Sequence, residues 1–357
     1  MSELVEQHNQ ILNVIDLDYV TTRYQGSKRR ISSWMLEQIR EFQYQTVLDA
    51  LSGTASVAYE FKKRGKEVVC NDILKSNYYT ALALIENSQE ILDEKDILFV
   101  LSRHQEFDYP TFIQDTFKGI YYTAEENAWL DLVVTNIRKL ENPYKKALAF
   151  FALFQSCIIK RPFNLFHRNN LYIRLAKVDR TFYNHKNWER PFPEYFRKFV
   201  EEANSRIFSN ELQNRALNLD ILSMEEDNFD LVYIDPPYIS SAGRSVDYYH
   251  LYHFLEGLCD YNSWSQKIDY ASKHLRLRSN TNIWGKKSTV EKALDSLFKK
   301  FQDSILVVSY RTPGFPSIAT IQSLIEQYKS TVNVYNKNLN YALSKEDGNL
   351  ETLLIAR

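Results

Sequence analysis

Only three cysteines occur in 357 residues, and Cys70, Cys157 and Cys259 have no metal-ligand spacing. An odd count gives no disulfide framework, so a reducing, cytoplasmic setting is the expectation. Residues 1–20 lack the basic start and apolar run of a secretion signal and carry Glu3, Glu6, Asp16 and Asp18. No apolar stretch is long enough to span a bilayer, so no membrane partner is expected. Internal repeats and low-complexity tracts are absent. The glycine-rich Walker pattern that cradles phosphates is missing too. Nor is positive charge in excess: 44 Lys and Arg stand against 45 Asp and Glu, a net charge of −1. A nucleic-acid partner therefore has to be argued from local charge, not from the total.

What is present is an ordinary globular composition, 44% hydrophobic and 25% charged, with an unusual 24 Tyr and 21 Phe. Such rings can stack on bases, although most of them fill a core. Residues 46–51 read as a buried strand that runs into the small-residue turn Ser52-Gly53-Thr54-Ala55-Ser56. A helix then stops near Gly65, and 67–72 reads as a second strand ending in Asp72. This is a βαβ unit with an acid roughly twenty residues past its loop, the layout of a nucleoside-binding half. Residues 78–206 are mostly helical in pattern: 81–101 and 124–140 read as surface helices, 144–159 as a buried one. Strand patterns return at 215–219, 229–234 and 304–310, and 331–335 with 350–356 can close the sheet as a hairpin with a long loop. The expected fold is α/β with a mainly parallel sheet. Residues 1–77 and 207–357 form its catalytic domain, and 78–206 form a largely helical insertion, too long for one crossover.

The sharpest motif is Asp235-Pro236-Pro237-Tyr238, placed just after the apolar strand 229–234. Ligands in open α/β sheets bind beyond the carboxyl ends of strands. Two prolines stiffen the loop and remove two N–H donors, so carbonyls can face a ligand. Methylation of an aromatic amine needs that arrangement. The N6 lone pair of adenine is delocalised into its ring. A carboxylate and a carbonyl that accept both N6 hydrogens draw the nitrogen toward tetrahedral geometry. The Tyr238 ring can stack on a base turned out of the helix. Alternatively, the tetrapeptide is an ordinary strand-to-loop junction.

The chain resembles the adenine-specific DNA methyltransferases of the Dam type, with their alpha order of motifs, and among them modification methylases of the FokI kind. Arg23-Tyr24-Gln25-Gly26-Ser27-Lys28 is similar to the family's N-terminal motif. Asp49-Ala50-Leu51-Ser52-Gly53-Thr54 is similar to its methionine-binding loop, Asp72 to the ribose acid, and Asp220 to the acid beside the cofactor adenine. Stretches 161–168, 252–258 and 310–317 share in the likeness. The resemblance implies S-adenosylmethionine as cofactor, a Rossmann-like seven-stranded sheet, and host protection beside a restriction endonuclease of matching specificity. It assigns Tyr24, Gly26, Lys28, Asp49, Leu51, Ser52, Gly53, Thr54, Asp72 and Asp220 to the cofactor, with Lys28 meeting the methionine carboxylate. Asp72 and Asp220 can equally be helix caps, and Lys28 a solvated charge. One departure is Ala55, where the family commonly has a second glycine; its methyl would stand at the amino-acid end of the cofactor.

The stretch 160–198 is locally basic, with aromatics interleaved. Its candidates for double-stranded DNA are Arg161, Asn164, His167, Arg168, Asn169, Asn170, Arg174, Lys177 and Arg180. Cations there would hold phosphates, and Asn164, Asn169, Asn170 and Arg168 would read base edges. The plainer alternative is a solvated basic face. His250 and His253 sit three apart, but no carboxylate or cysteine completes a metal site, and none is expected. Two rivals remain at this point: the same chemistry on cytosine N4, RNA adenine or a protein amide, and a non-catalytic DNA-binding module on the same fold.

Overall fold

A computed structural model describes residues 18–176, 185–225, 228–240, 243, 245–278, 283–338 and 350–357. Seven strands form one sheet: β1 (Thr46–Asp49), β2 (Glu67–Asn71), β3 (Arg215–Leu217), β4 (Leu231–Ile234), β5 (Ile305–Thr312), β6 (Val332–Asn338) and β7 (Leu350–Ala356). Their order is β3-β2-β1-β4-β5-β7-β6. The first five are parallel neighbours, and β7 runs antiparallel to both β5 and β6. The α/β, mainly parallel sheet expected from the sequence is therefore present, including its closing β6–β7 hairpin. The chain's direction of winding reverses between β1 and β4, so their carboxyl ends frame a crevice.

Strand side chains alternate between faces, and both faces of this sheet are covered. Val47, Leu231, Tyr233, Val307, Leu353 and Ile355 join one core. Their sequence neighbours Leu48, Val232, Ile234, Leu306, Val308, Leu354 and Ala356 join the other. Helices Lys287–Lys300 and Ile318–Ile325 cover the second face through Val290, Leu294, Leu297 and Ile321. Helix Ser56–Lys63 and most of the long insertion cover the first.

Local signals start the insertion's helices. Thr123 and Glu126 form a capping box at the start of Ala124–Lys139. Asn142 accepts from the Tyr144 and Lys145 amides, with Pro143 at the first helical position of Pro143–Ile159. That second helix is apolar all round, and every residue from Ala147 to Ile159 is buried. The stretch 81–101 is not one surface helix, contrary to its pattern. Helix Lys75–Ala81 runs on through a π-turn at Leu82–Glu86. Its Ala81, Leu82, Ala83, Leu84 and Ile85 are buried. Glu86 fastens this turn to the sheet by accepting from the Ala216 amide of β3 at 2.7 Å. A separate helix, Glu94–Leu101, begins at its own Asp93–Asp96 capping box.

Helix His253–Cys259 carries Gly257 against Trp264, a ring with 0% exposure. A Cβ at Gly257 would lie 1.8 Å from Trp264 Cε2. Gly257→Ala is therefore expected to cost about 1–3 kcal/mol through overpacking, outweighing the helix preference for alanine. Thermal unfolding checks this, and an unchanged or higher midpoint contradicts it.

Candidate active site

The carboxyl ends of the parallel strands meet one cleft. It is lined by Tyr24, Gly26, Lys28, Asp49, Leu51, Ser52, Gly53, Thr54, Asp72 and Asp220, and by Asp235, Pro236, Pro237 and Tyr238. All the residues singled out for cofactor and catalysis thus converge. Ile73, Asn77, Leu219, Ile221, Val246, Tyr248 and Trp284, which sequence reasoning passed over, line it as well.

On the β1 side the turn is held by its backbone. The Ser52 amide donates to Asn71 O at 2.9 Å, and the Gly53 amide to Asp72 Oδ2 at 2.8 Å. Gly53 has φ +52°, which suits a residue without a Cβ. Asp72 also accepts from the Leu74 amide at 2.8 Å, which fixes the turn before helix Lys75–Ala81 while the carboxylate lines the cleft. Burial raises its pKa to about 7, against the opposing pull of those two amides and Asn77. Asn71, buried and unforeseen, donates to Ala50 O and Leu219 O, clamping the ends of β1, β2 and β3 together. Asp220 is exposed and accepts from the Leu222 amide at 3.1 Å.

Asp49 is the least compensated group. It is 1% exposed, and neither carboxylate oxygen completes a hydrogen bond. Burial, then Asp235 and Asp72, push its pKa well above the ordinary value, with only the Ala58 amide opposing. Ala55 does not crowd this cleft. Its methyl is buried in the core behind the turn. Its cost is a left-handed φ of 59°, on the order of 1–2 kcal/mol for a residue with a Cβ.

The Asp-Pro-Pro-Tyr loop leaves β4 beside a charge cluster. Tyr238 donates to Asp235 Oδ1 at 2.6 Å. Lys28 Nζ lies 3.2 Å from the same oxygen and 2.7 Å from Glu351 Oε1. It also bonds the Tyr238 hydroxyl and sits 4.7 Å from that ring's centroid. Lys28, 7% exposed, lines the cleft while answering carboxylates of the protein itself. Burial raises the Asp235 pKa to about 6; Lys28 works against this and Glu351 adds to it. Glu351 went unnoticed, although its signal is plain: one carboxylate inside the apolar run of β7.

A roof of aromatic rings closes the N-terminal side. Tyr24 stacks on Tyr252 at 4.5 Å and on Tyr248 at 5.5 Å. Gly26 has φ +86°, and a Cβ there would lie 2.7 Å from the Tyr248 hydroxyl, so both backbone and space demand glycine.

The described residues among those expected at DNA do not line this cleft, and they divide. Arg168 and Asn169 are exposed; Asn164 and His167 are half-buried. Three others have largely buried side chains. Arg161, 1% exposed, donates to Leu165 O and Arg168 O and stacks on Tyr121 at 4.3 Å. Arg174 grips Glu126 with two bonds, of 2.9 and 2.6 Å. Asn170 is 2% exposed. An irregular segment buries carbonyls that no helix satisfies, and guanidinium groups supply the donors. Lys177 and Arg180 lie outside the described residues. His253 is buried against the Tyr121 hydroxyl at 2.8 Å, and no group that could hold a metal occurs among the described residues. Nor is any described helix long and apolar enough to cross a membrane.

Residues 24–343 match the family model for D12 class N6 adenine-specific DNA methyltransferase. The chain is 29% identical over 323 residues to the type II methyltransferase M2.HphI of Haemophilus parahaemolyticus, covering 88% of this chain and 90% of that protein. It is 24% identical over 330 residues to the type II methyltransferase M.FokI of Planomicrobium okeanokoites. That match covers 86% of this chain and 47% of M.FokI, so the chain spans about half of that protein's length. A solved rRNA methyltransferase, aviRa from Streptomyces viridochromogenes, aligns over 95% of this chain and 88% of its own at 10% identity, with a TM-score of 0.32.

The exposed cost of Asp49 has a pH signature. Its folded-state pKa exceeds its unfolded value, so the folded state binds the proton more tightly and loses stability as pH rises between the two. Asp49→Asn should therefore raise the melting temperature of the ligand-free protein at pH 8 by several degrees. The gain should shrink as the pH falls toward the unfolded value of 3.8. A variant that melts lower at pH 8 contradicts this account.

Proposed function

The chain belongs to the D12 class N6 adenine-specific DNA methyltransferases, and we propose that its cleft binds S-adenosylmethionine beside Asp49 and the target adenine at Asp235. The observation that carries this reading is the buried, unsatisfied Asp49 carboxylate in a cleft that also holds Asp72, Asp220 and Asp235. Such a set of acidic acceptors repels phosphates and suits a ligand with a sulfonium and an ammonium. Asp49 would take the α-ammonium, and Asp72 the ribose hydroxyls. Ile73 and Leu219, apolar yet 61% and 43% exposed at the cleft, would hold the two faces or edge of the adenine ring.

When bound, the cofactor supplies an electrophilic methyl group. The protein's part is to hold the acceptor amine in line with it. Among the described residues, Tyr238 and Lys28 both act on Asp235 Oδ1, which leaves Oδ2 to accept an N6 hydrogen. Pro236 and Pro237 offer no N–H, so a loop carbonyl can accept the other. Drawing on both hydrogens localises the nitrogen lone pair, and the positive charge that develops there is stabilised by the adjacent carboxylate. The target base must leave the helix to reach this point. Arg168 and Asn169 are the exposed residues proposed to meet DNA outside the cleft. A restriction endonuclease of the same specificity, acting in the cytoplasm, is proposed as the functional partner.

Radiolabelled methyl transfer to duplex DNA, followed by sequencing of methylated adenines, tests the reading. Asp235→Ala should lower transfer by at least about 100-fold while S-adenosylmethionine binding stays within a few-fold. Asp49→Asn should do the reverse first, weakening cofactor binding by about tenfold or more. Cofactor binding unaffected by Asp49→Asn would remove the methionine end from this position.

A further inference from the structure

β7 contains a buried carboxylate in a largely apolar strand. Glu351 is 0% exposed in the run Leu350–Ala356. Placing a carboxylate there is costly unless cations and donors answer it. Ser309 of β5 donates to Glu351 Oε1 at 2.5 Å, and Lys28 Nζ lies 2.7 Å from the same oxygen. The Tyr238 hydroxyl reaches it at 3.5 Å. Lys28 is farther, 3.2 Å, from Asp235. One ammonium is therefore shared between two carboxylates, and the tighter contact is with Glu351.

This sharing has a consequence for Asp235. A Lys28 paired with Asp235 alone would close onto it, occupy its oxygens and withdraw electron density from them. An ion-paired carboxylate of that kind is a poor acceptor for a weakly acidic N6 hydrogen. Glu351 draws the ammonium back toward β7, and the Tyr238 hydroxyl fills the gap on Oδ1. We propose that Glu351 is a positioning residue for methyl transfer, which holds the Lys28 ammonium off Asp235 so that Asp235 can grip the target amine. The proposal rests on the role given above to Asp235. The direction of the charge effects agrees with it: Lys28 lowers the proton affinity of Asp235, and Glu351 raises it.

Other titratable groups also face this cluster. Asp49 on β1 and Tyr233 on β4 interact electrostatically with Asp235. Arg311 on β5 and Lys337 on β6 are the cross-strand partners of Glu351. Lys337 lies over the Trp34 ring at 5.5 Å. Lys28 is a cation whose ammonium contacts both Glu351 and Asp235.

The test is single-turnover methylation of duplex DNA by the full chain across pH, at saturating cofactor, for Glu351→Gln and for Glu351→Gln combined with Lys28→Met. In Glu351→Gln the undivided Lys28 should lower the plateau rate by about tenfold or more and move the acid limb to lower pH. Cofactor binding should change by less than about threefold. Removing Lys28 as well frees Asp235, so the double variant should be faster than the single one and its acid limb should move back up. A merely structural ion pair predicts the opposite order, with the double variant equal or slower and the acid limb unmoved; that result overturns the proposal. Should Glu351→Gln fail to fold, Ser309→Ala loosens Glu351 without changing charge and should move the limb the same way by a smaller amount. An unmoved limb there also overturns it. Asp235→Asn run alongside separates the layers: retained transfer in that variant refutes the role of Asp235 itself.

Discussion

Desolvation of acids at one rim of the sheet sets the terms for everything near it. Asp49, Asp72, Asp235 and Glu351 are packed at or beside the same strand ends, with Lys28 in their midst. Burial is the first cause of the raised pKa at Asp49, Asp72 and Asp235. A fold organised only for stability would place apolar groups there. Each acid instead meets a different compensation. Asp72 takes backbone amides, Asp235 takes Tyr238 and Lys28, Glu351 takes Lys28 and Ser309, and Asp49 takes almost nothing. This gradient singles out Asp49 as the acid proposed above to meet a cationic group of the ligand.

The same reasoning explains why an acidic cleft and a near-neutral chain are compatible with a DNA substrate. Many cations of the insertion are engaged inward. Lys160 and Arg174 converge on Glu126, and Arg161 serves carbonyls of its own loop. Arg161 satisfies the carbonyls of Leu165 and Arg168 within the segment 161–170. Arg168 and Asn169 stay exposed on it, and they are the residues proposed above to meet DNA.

Much of this was legible in the residues. The short apolar runs 46–51, 67–72 and 229–234 contain or lead into Asp49, Asp72 and Asp235, and turn residues mark their ends. The cleft followed because ligands in such sheets bind beyond those ends. Two things were not legible. A basic residue in an irregular segment has the same one-letter code whether it faces phosphate or a buried carbonyl, so the sequence alone does not separate the inward Arg161 and Arg174 from the exposed Arg168. Helical periodicity in 81–101 likewise could not reveal that its apolar first turns pack on β3, since that contact joins segments distant in sequence. Lys28 shows the intermediate case: its place in the cleft was readable, but its partner, Glu351, lies almost at the other end of the chain.

That last pairing depends on strand direction. In a parallel sheet, a residue at the catalytic rim sits at the carboxyl end of its strand. β7 runs the other way, so its first residues reach the rim. Alternation then decides which of them faces the cleft core: Leu353 and Ile355 join the same core as Tyr233 and Val307, and Glu351 keeps their parity. Shifting β7 by one residue would bury Leu350 or Thr352 beside Lys28 and leave its ammonium to Asp235 alone. The antiparallel hairpin is therefore more than an edge for the sheet. It is the element through which a carboxylate from the end of the chain can meet a lysine from its beginning at the Asp-Pro-Pro-Tyr loop.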